Sequence, residues 1–479
     1  MDILQTIQNS NSLIIKQKTI SAHRLLLFFR NDNKNNRNIM NKCLSIVCLW
    51  LGAATSPNLQ GQATPDDCIR YAWQHNLSIQ RLQIATKGAR TDYVSAIGKF
   101  LPQISMKGEV GRYTGRSIDP RTNGYTSEAY NQGTAGLEIT LSLFEGFSRI
   151  NLLKLRSLNL EEKKCDLDVG KNELAIQITE AYYKAALNEQ LYLLAEEQLE
   201  LGNQYLKQAH AYYGLGLKSA ADVREIEARR QGDLLRYTAS LNNRRLSLLY
   251  LKELMGMEAT DSLGIIPIAA DSLPPRLQET DPETLHRQAL LVLPGYRSMQ
   301  IKERAARKDY AMTRGEFFPT VYARFSLNSD YYNSLYSLRQ LREHRSNYIG
   351  IGFSFPLFTG LERYTRLRKK RLNMLRMQNE LTEKRLRLRT ETERLSHSLR
   401  TAWEEHRQVC LQADAERQVL QATKRKWEEG ASSTLQLMEA RSRWLSARSE
   451  QARVQAQYEL LRRLIVYYQT GTFIHTDHE

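Results

Sequence analysis

Proline and glycine are sparse in this 479-residue chain, at 11 and 25 residues. That excludes collagen-like and low-complexity classes. Cysteine is scarcer still: five residues, at positions 43, 48, 68, 165 and 410. No Cys-x-x-Cys pair and no Cys/His cluster occurs, so a zinc site of known spacing is excluded, and three scattered cysteines after residue 63 argue against a disulfide framework. The nine histidines are scattered, and the two that lie close, in IHTDHE (474–479), sit at the extreme C-terminus. No Gly-rich phosphate loop follows a strand. No catalytic constellation emerges, and neither an enzyme, a metal nor a cofactor is expected. Acidic groups are outnumbered 52 to 68, a net charge of +16. Such a balance fits nucleic acid, an anionic membrane surface, or simply an Arg/Lys-rich solvated helical face.

What is present begins at Met40, where the chain reads MNKCLSIVCLWLGAATSPNLQGQA. Lys42, the apolar run Cys43–Ala54 and the small residues of Gly61-Gln62-Ala63 have the anatomy of a secretory signal peptide over 40–63. A run of twelve residues is too short to span a bilayer. Residues 1–39, rich in Asn, read as an upstream extension that is not part of the native protein. No lipobox cysteine follows, so no lipidated N-terminus is expected. Removing residues 1–63 takes away seven basic and two acidic groups and leaves a net charge of +11. A secreted chain argues against a nucleic-acid partner.

The rest of the chain is a long twofold repeat. Ala72 precedes Pro102 by 30 residues, and Ala289 precedes Pro319 by 30. The segments LSLFEGF (141–147) and FPLFTG (355–360) place Phe144–Gly146 and Phe358–Gly360 214 positions apart. Gly216, Ser219, Val223 and Glu225 match Gly430, Ser433, Leu437 and Glu439 at the same offset. The first repeat is read over 64–269, a Pro-rich linker over 270–282, the second repeat over 283–470, and a tail over 471–479. Each repeat predicts a helix (66–99; 282–316) stopped by proline, two strands (102–113 and 134–144; 319–328 and 348–358), and two very long helices (147–256; 361–470).

The strands alternate cleanly. Leu137, Ile139, Leu141 and Leu143 oppose Glu138, Thr140 and Ser142, while Val321, Ala323, Phe325 and Leu327 oppose Tyr322, Arg324, Ser326 and Asn328. Ile349, Ile351, Phe353 and Phe355 oppose Tyr348, Gly350, Gly352 and Ser354. Such strands fit either a half-wet soluble sheet or a membrane β-barrel. Leu187, Leu191, Leu194, Leu201 and Tyr205, with Gln198 in the missing step, follow 4-3 spacing; so do Leu234, Tyr237, Leu241, Leu248, Leu251 and Met255. This is a coiled-coil seam, on helices of about 100 Å. Four strands cannot close a barrel and open edges are not tolerated in lipid. The strands and rods together therefore predict assembly from several copies, a barrel continued by a helical tube.

At this point the sequence resembles the TolC-like outer-membrane efflux and secretion channel family. FLP and FFP precede the first strand of each copy, LFEGF and LFTG follow the second, and Gly-x-x-Ser turns join the long helices. The resemblance implies an α+β membrane protein of two tandem helix–β-hairpin–long α-hairpin repeats. It further implies a homotrimer with a 12-stranded barrel in outer-membrane lipid and a coiled-coil tunnel in the periplasm. The implied role is the exit duct of a tripartite efflux pump, with a periplasmic adaptor protein and an inner-membrane RND- or ABC-type pump as partners. Protein secretion through the same duct, or a soluble periplasmic coiled-coil scaffold, is the alternative.

Two groups of residues are candidates for function. Pro102, Phe144, Gly146, Pro319, Phe358 and Gly360 mark the barrel–tunnel junction: aromatic rings suit the headgroup level and glycine permits the corner. Gly214, Gly216, Leu217 and Ser219, with Gly430, Ser432 and Ser433, mark the hairpin tips. Helix capping alone explains those residue types; the resemblance adds adaptor docking and entrance closure. Tyr212, Tyr213, Arg425 and Glu429 lie near enough to take part in closure. The basic segment 361–389 fits anionic lipid head groups or a solvated outer face.

Overall fold

The structure, a computed structural model, describes residues 62–118, 123–127, 129–267, 281–333 and 344–474. The expected upstream extension, nearly all of the signal peptide, the linker up to residue 280 and the tail from residue 475 lie outside the described residues.

In chain order the first half runs β1 (Gln62–Ala63), α1 (Pro65–His75), α2 (Leu77–Gly98), β2 (Gln103–Tyr113), β3 (Ser117–Ile118), β4 (Tyr125–Thr126), β5 (Tyr130–Glu145), α3 (Ser148–Gly214) and α4 (Ala220–Met255). The second runs β6 (Gly264–Ile265), α5 (Pro282–Val292), α6 (Pro294–Gly315), β7 (Thr320–Asn333), β8 (Arg345–Ser354), α7 (Glu362–Glu428) and α8 (Thr434–Thr470). β1 and β6 pair in parallel, β3 and β4 antiparallel.

The single opening helix expected in each half is two helices. In the first half Asn76 takes an extended conformation, its Oδ1 accepts from Ser78 N, and its Nδ2 donates to Leu254 O at 2.8 Å. Asparagine competes for backbone hydrogen bonds and so starts a new helix. In the second half Pro294 stands at the first position of α6 and holds Leu293 extended. The short helices α1 and α5 thereby fold back onto the long ones: Trp73 Nε1 donates to Lys171 O in α3 at 3.0 Å, and Ala289 and Leu293 cluster with Leu388 and Tyr467.

The main sheet has the order β2–β5–β7–β8, every neighbour antiparallel. The two hairpins join through β5 and β7, and among the described residues β2 and β8 are left as open edges. Register aligns the alternation across the sheet. Ile104, Ile139, Phe325 and Ile349 form one row, and Leu141, Ala323 and Ile351 the next. The opposite face carries an ion-pair ladder in which Glu138 bridges Lys107 at 3.8 Å and Arg324 at 2.6 Å. The last strand ends earlier than the expected 358, at Ser354. Its partner β7 begins directly after Pro319, at Thr320 opposite Ser354, and Pro356 has no amide to donate.

Below the sheet, α3 and α7 are each 67 residues, about 100 Å. They return as α4 and α8. Much of the buried helical surface is alanine (Ala175, Ala181, Ala185, Ala186, Ala447, Ala452), which lets the rods approach closely. The seam departs from expectation at one place: Leu234 is 36% exposed while Asp233 is buried.

Candidate functional site

The corners between strand and rod are built from left-handed backbone. Gly146 and Gly360 have φ of 57° and 59°, and each is followed by a second left-handed residue, Phe147 and Leu361. Two such residues in series turn the chain from strand to helix in the shortest space. The non-glycine members store strain. The two glycines are not equivalent. A methyl on Gly146 would overlap Gly315 O, whereas among the described residues nothing lies within 4 Å of one on Gly360. Gly146 and Gly315 touch back to back, and Ser148 Oγ donates to Met312 O at 2.9 Å, so the first corner is welded to the end of α6. Phe144 meets Phe147 edge to face, 5.4 Å between ring centroids. Arg149, which sequence reasoning missed, clamps this corner. Its guanidinium donates to Lys99 O at 3.0 Å and to Ser142 O, pairs with Glu145 at 3.5 Å, and lies over Phe100. Pro102 and Pro319 each stand one residue before the first strand of a pair, and Phe358 is exposed beyond β8.

The tips are two copies of one turn. Gly216 and Gly430 have φ of 73° and 76°. Behind them Leu217 N donates to Tyr212 O at 2.9 Å, and Ala431 N to Lys426 O at 2.7 Å. Ser219 and Ser433 then cap the return helices through reciprocal bonds with Asp222 and Gln436. The Ser219 hydroxyl holds the Asp222 carboxyl below its ordinary range. Ser432 Oγ donates to Gln436 Oε1 at 2.8 Å. Gly214 is the last residue of α3. Leu215 and Leu217 are 71% and 67% exposed.

Just behind the turns a buried cluster binds the two hairpins together: Tyr205, Ala209, Val223, Ile226, Trp427, Leu437 and Met438. Trp427 is its centre. Its Nε1 donates to Thr434 Oγ1 at 3.3 Å, Tyr205 meets it edge to face at 5.9 Å, and Lys218 Nζ lies over the ring at 5.6 Å. Of the four residues considered for closure, Tyr212 packs here, Tyr213, Arg425 and Glu429 are exposed, and among the described residues no ion pair joins Arg425 to Glu429.

The buried ionic contact lies farther up, and the sequence pattern concealed it. Arg441 of α8 donates through Nε to Gln198 Oε1 at 2.7 Å, to Gln198 O, and to Asp233 Oδ2 at 2.9 Å. Both charged side chains are under a tenth exposed. Gln198 fills the vacant seam step because it receives this arginine.

The sequence profile described as "Outer membrane efflux protein" matches residues 68–257 and 285–463. Protein CyaE of Bordetella pertussis is 23% identical over 426 residues, 85% of this chain and 87% of that protein. Outer membrane efflux protein BepC of Brucella suis is 21% identical over 322 residues, 66% of each chain. In fold, the outer membrane protein VceC of Vibrio cholerae superposes with a TM-score of 0.73 at 15% identity, over 86% of this chain and 97% of that one. The CmeC outer membrane channel of Campylobacter jejuni gives 0.73 at 15% identity, over 87% of each.

Proposed function

Because the chain belongs to the outer membrane efflux protein family, we propose that three copies form the exit duct of a tripartite pump that expels small molecules. The family is one of outer-membrane channels with the helical tunnel in the periplasm. The observation that carries the proposal is the open four-stranded sheet, apolar on one face, with β2 and β8 unpaired in the single chain. In hydrocarbon each unpaired edge amide is costly, so β8 of one copy pairs with β2 of the next until the ring closes. Three copies give the twelve strands that the family resemblance implies. Leu77, Ile84 and Val94 on α2 and Leu372, Leu375 and Leu386 on α7 are exposed apolar residues that adjacent copies bury against each other.

The polar sheet face then lines the lumen, and the duct supplies no energy. An adaptor protein docks on the tips through Leu217, the exposed turn residues Gly214, Gly216, Ser219, Gly430 and Ser433, and the half-buried Ser432. An inner-membrane pump of the RND or ABC type drives transport through it. The corner residues Pro102, Phe144, Gly146, Pro319, Phe358 and Gly360 join barrel to tunnel. BepC, a relative named as an efflux protein, supports the efflux reading.

The test is deletion of the gene in its native cell. Loss of tolerance to small toxic compounds, restored by wild type and not by Leu217→Asp, is expected. Unchanged tolerance together with loss of an exported protein from the medium would replace efflux with protein secretion.

A further inference from the structure

Below the first corner, α3 and α6 enclose a groove of about 390 Å³ lined by Lys154, Ser157, Leu158, Arg304, Arg307 and Lys308. Four of its six lining residues are cations. Arg307 pairs with the buried Glu303, but among the described residues Lys154, Arg304 and Lys308 have no ion-pair partner. The first carboxylate along α3, Glu161, is engaged by Arg297 at 3.1 Å. Like charges gathered in one concave place repel unless an anion joins them.

The position in the molecule says which anion. The sheet's apolar rows end at the corners, and Phe100, Phe147, Phe317, Phe318 and Phe358 are exposed there, an aromatic girdle of the kind that marks the headgroup level. Lys154 is six residues from the start of α3 and Lys308 seven from the end of α6, each roughly 10 Å beyond the corner. Long cationic side chains reach back from that depth to the interface. The groove also faces outward. Ser157, Lys164 and Lys171 recur every seven residues, one position of a supercoiled helix, and Lys171 lies under Trp73 of α1. A closed tunnel has room for α1 only on its outside. Both walls belong to the two central elements of the chain, not to the edges β2/α2 and β8/α7.

We propose that this groove is a binding site for the phosphate of an anionic phospholipid in the periplasm-facing leaflet. The phosphate oxygens accept from Lys154, Arg304 and Lys308, with the Ser157 hydroxyl as a further donor. Its acyl chains run up the apolar face past the aromatic girdle. The site fixes the height of the corner relative to the bilayer.

The test uses the full protein, purified from outer membranes and placed in nanodiscs holding equal parts of phosphatidylglycerol and phosphatidylcholine. Native mass spectrometry then counts the lipids it retains. Wild type is expected to keep phosphatidylglycerol preferentially. The variant Lys154→Gln/Arg304→Gln/Lys308→Gln is expected to lose it by about fivefold per cation, on the order of a hundredfold in all. The control Lys207→Gln/Arg229→Gln/Arg245→Gln, with the same charge change elsewhere on α3 and α4, is expected to keep it. If the triple variant fails to assemble, the single Lys154→Gln, at an exposed position, is read instead. Equal retention by groove and control variants, or no preference for phosphatidylglycerol, overturns the proposal. So does displacement by millimolar inorganic phosphate, which would assign the groove to a soluble anion.

Discussion

At the scale of single residues, the two corner glycines separate two effects that the sequence presents as one. Gly146 and Gly360 occupy equivalent places and share a left-handed φ, but only Gly146 is pressed against backbone. Gly360→Ala meets only the left-handed penalty, about 1–2 kcal/mol. Gly146→Ala adds a backbone overlap that no rotamer relieves. Thermal melts in detergent should show the first variant modestly weakened and the second severely; equal losses would contradict the packing difference. Arg441 and Asp233 allow a second prediction. Removing one partner, as in Asp233→Ala, leaves a buried guanidinium without its countercharge and costs about 3–5 kcal/mol. The double change Arg441→Met/Asp233→Leu should recover most of that stability. Corner and tip glycines were legible because local backbone needs write themselves into local sequence. The buried arginine was not, since its partners lie 243 and 208 residues away. Nor were the left-handed Phe147 and Leu361, whose residue types give no hint of that conformation.

At the scale of elements, strand alternation was the most readable feature, because one-residue slips would send every apolar side chain to the wrong face. The same logic gives a test. Ile351→Arg, on the apolar face, should lower membrane stability, by up to about 2–4 kcal/mol. Ser105→Arg, at an exposed position directly across from Glu138, should be tolerated; urea unfolding in lipid vesicles would compare them. Helix breaks were harder to read. Pro294 announces one of them, while Asn76 acts through a bond to Leu254 that only the fold provides. The helices also carry a pH dependence. His406 of α7 is fully buried, ringed by Cys410 and Tyr458, and burial pushes its pKa below the ordinary 6.5; His286 of α5 is shifted the same way for the same reason. The unfolded chain therefore takes up protons that the folded one refuses as pH falls below about 6.5, and stability falls with it. Melting temperature should decline through mild acid, and His406→Gln should flatten the decline.

At the scale of the whole molecule, one chain is visibly unfinished. Its sheet has two open edges, its flanking helices expose leucines, and its rods are far longer than any compact domain requires. The proposed cyclic assembly would resolve all three at once, since a heterologous edge-to-edge contact can close into a ring. The twofold repeat was readable along the chain because its landmarks recur at a near-constant offset, 217 positions between Pro102 and Pro319 and 214 between Gly146 and Gly360. The number of copies is not written in any segment; it depends on strand tilt and curvature that the ring as a whole determines. The native mass of the protein, extracted in mild detergent from the outer-membrane fraction, tests this most directly. A protein mass three times that of the mature chain is predicted. A monomer in that fraction would contradict the shared barrel, and the proposed duct with it.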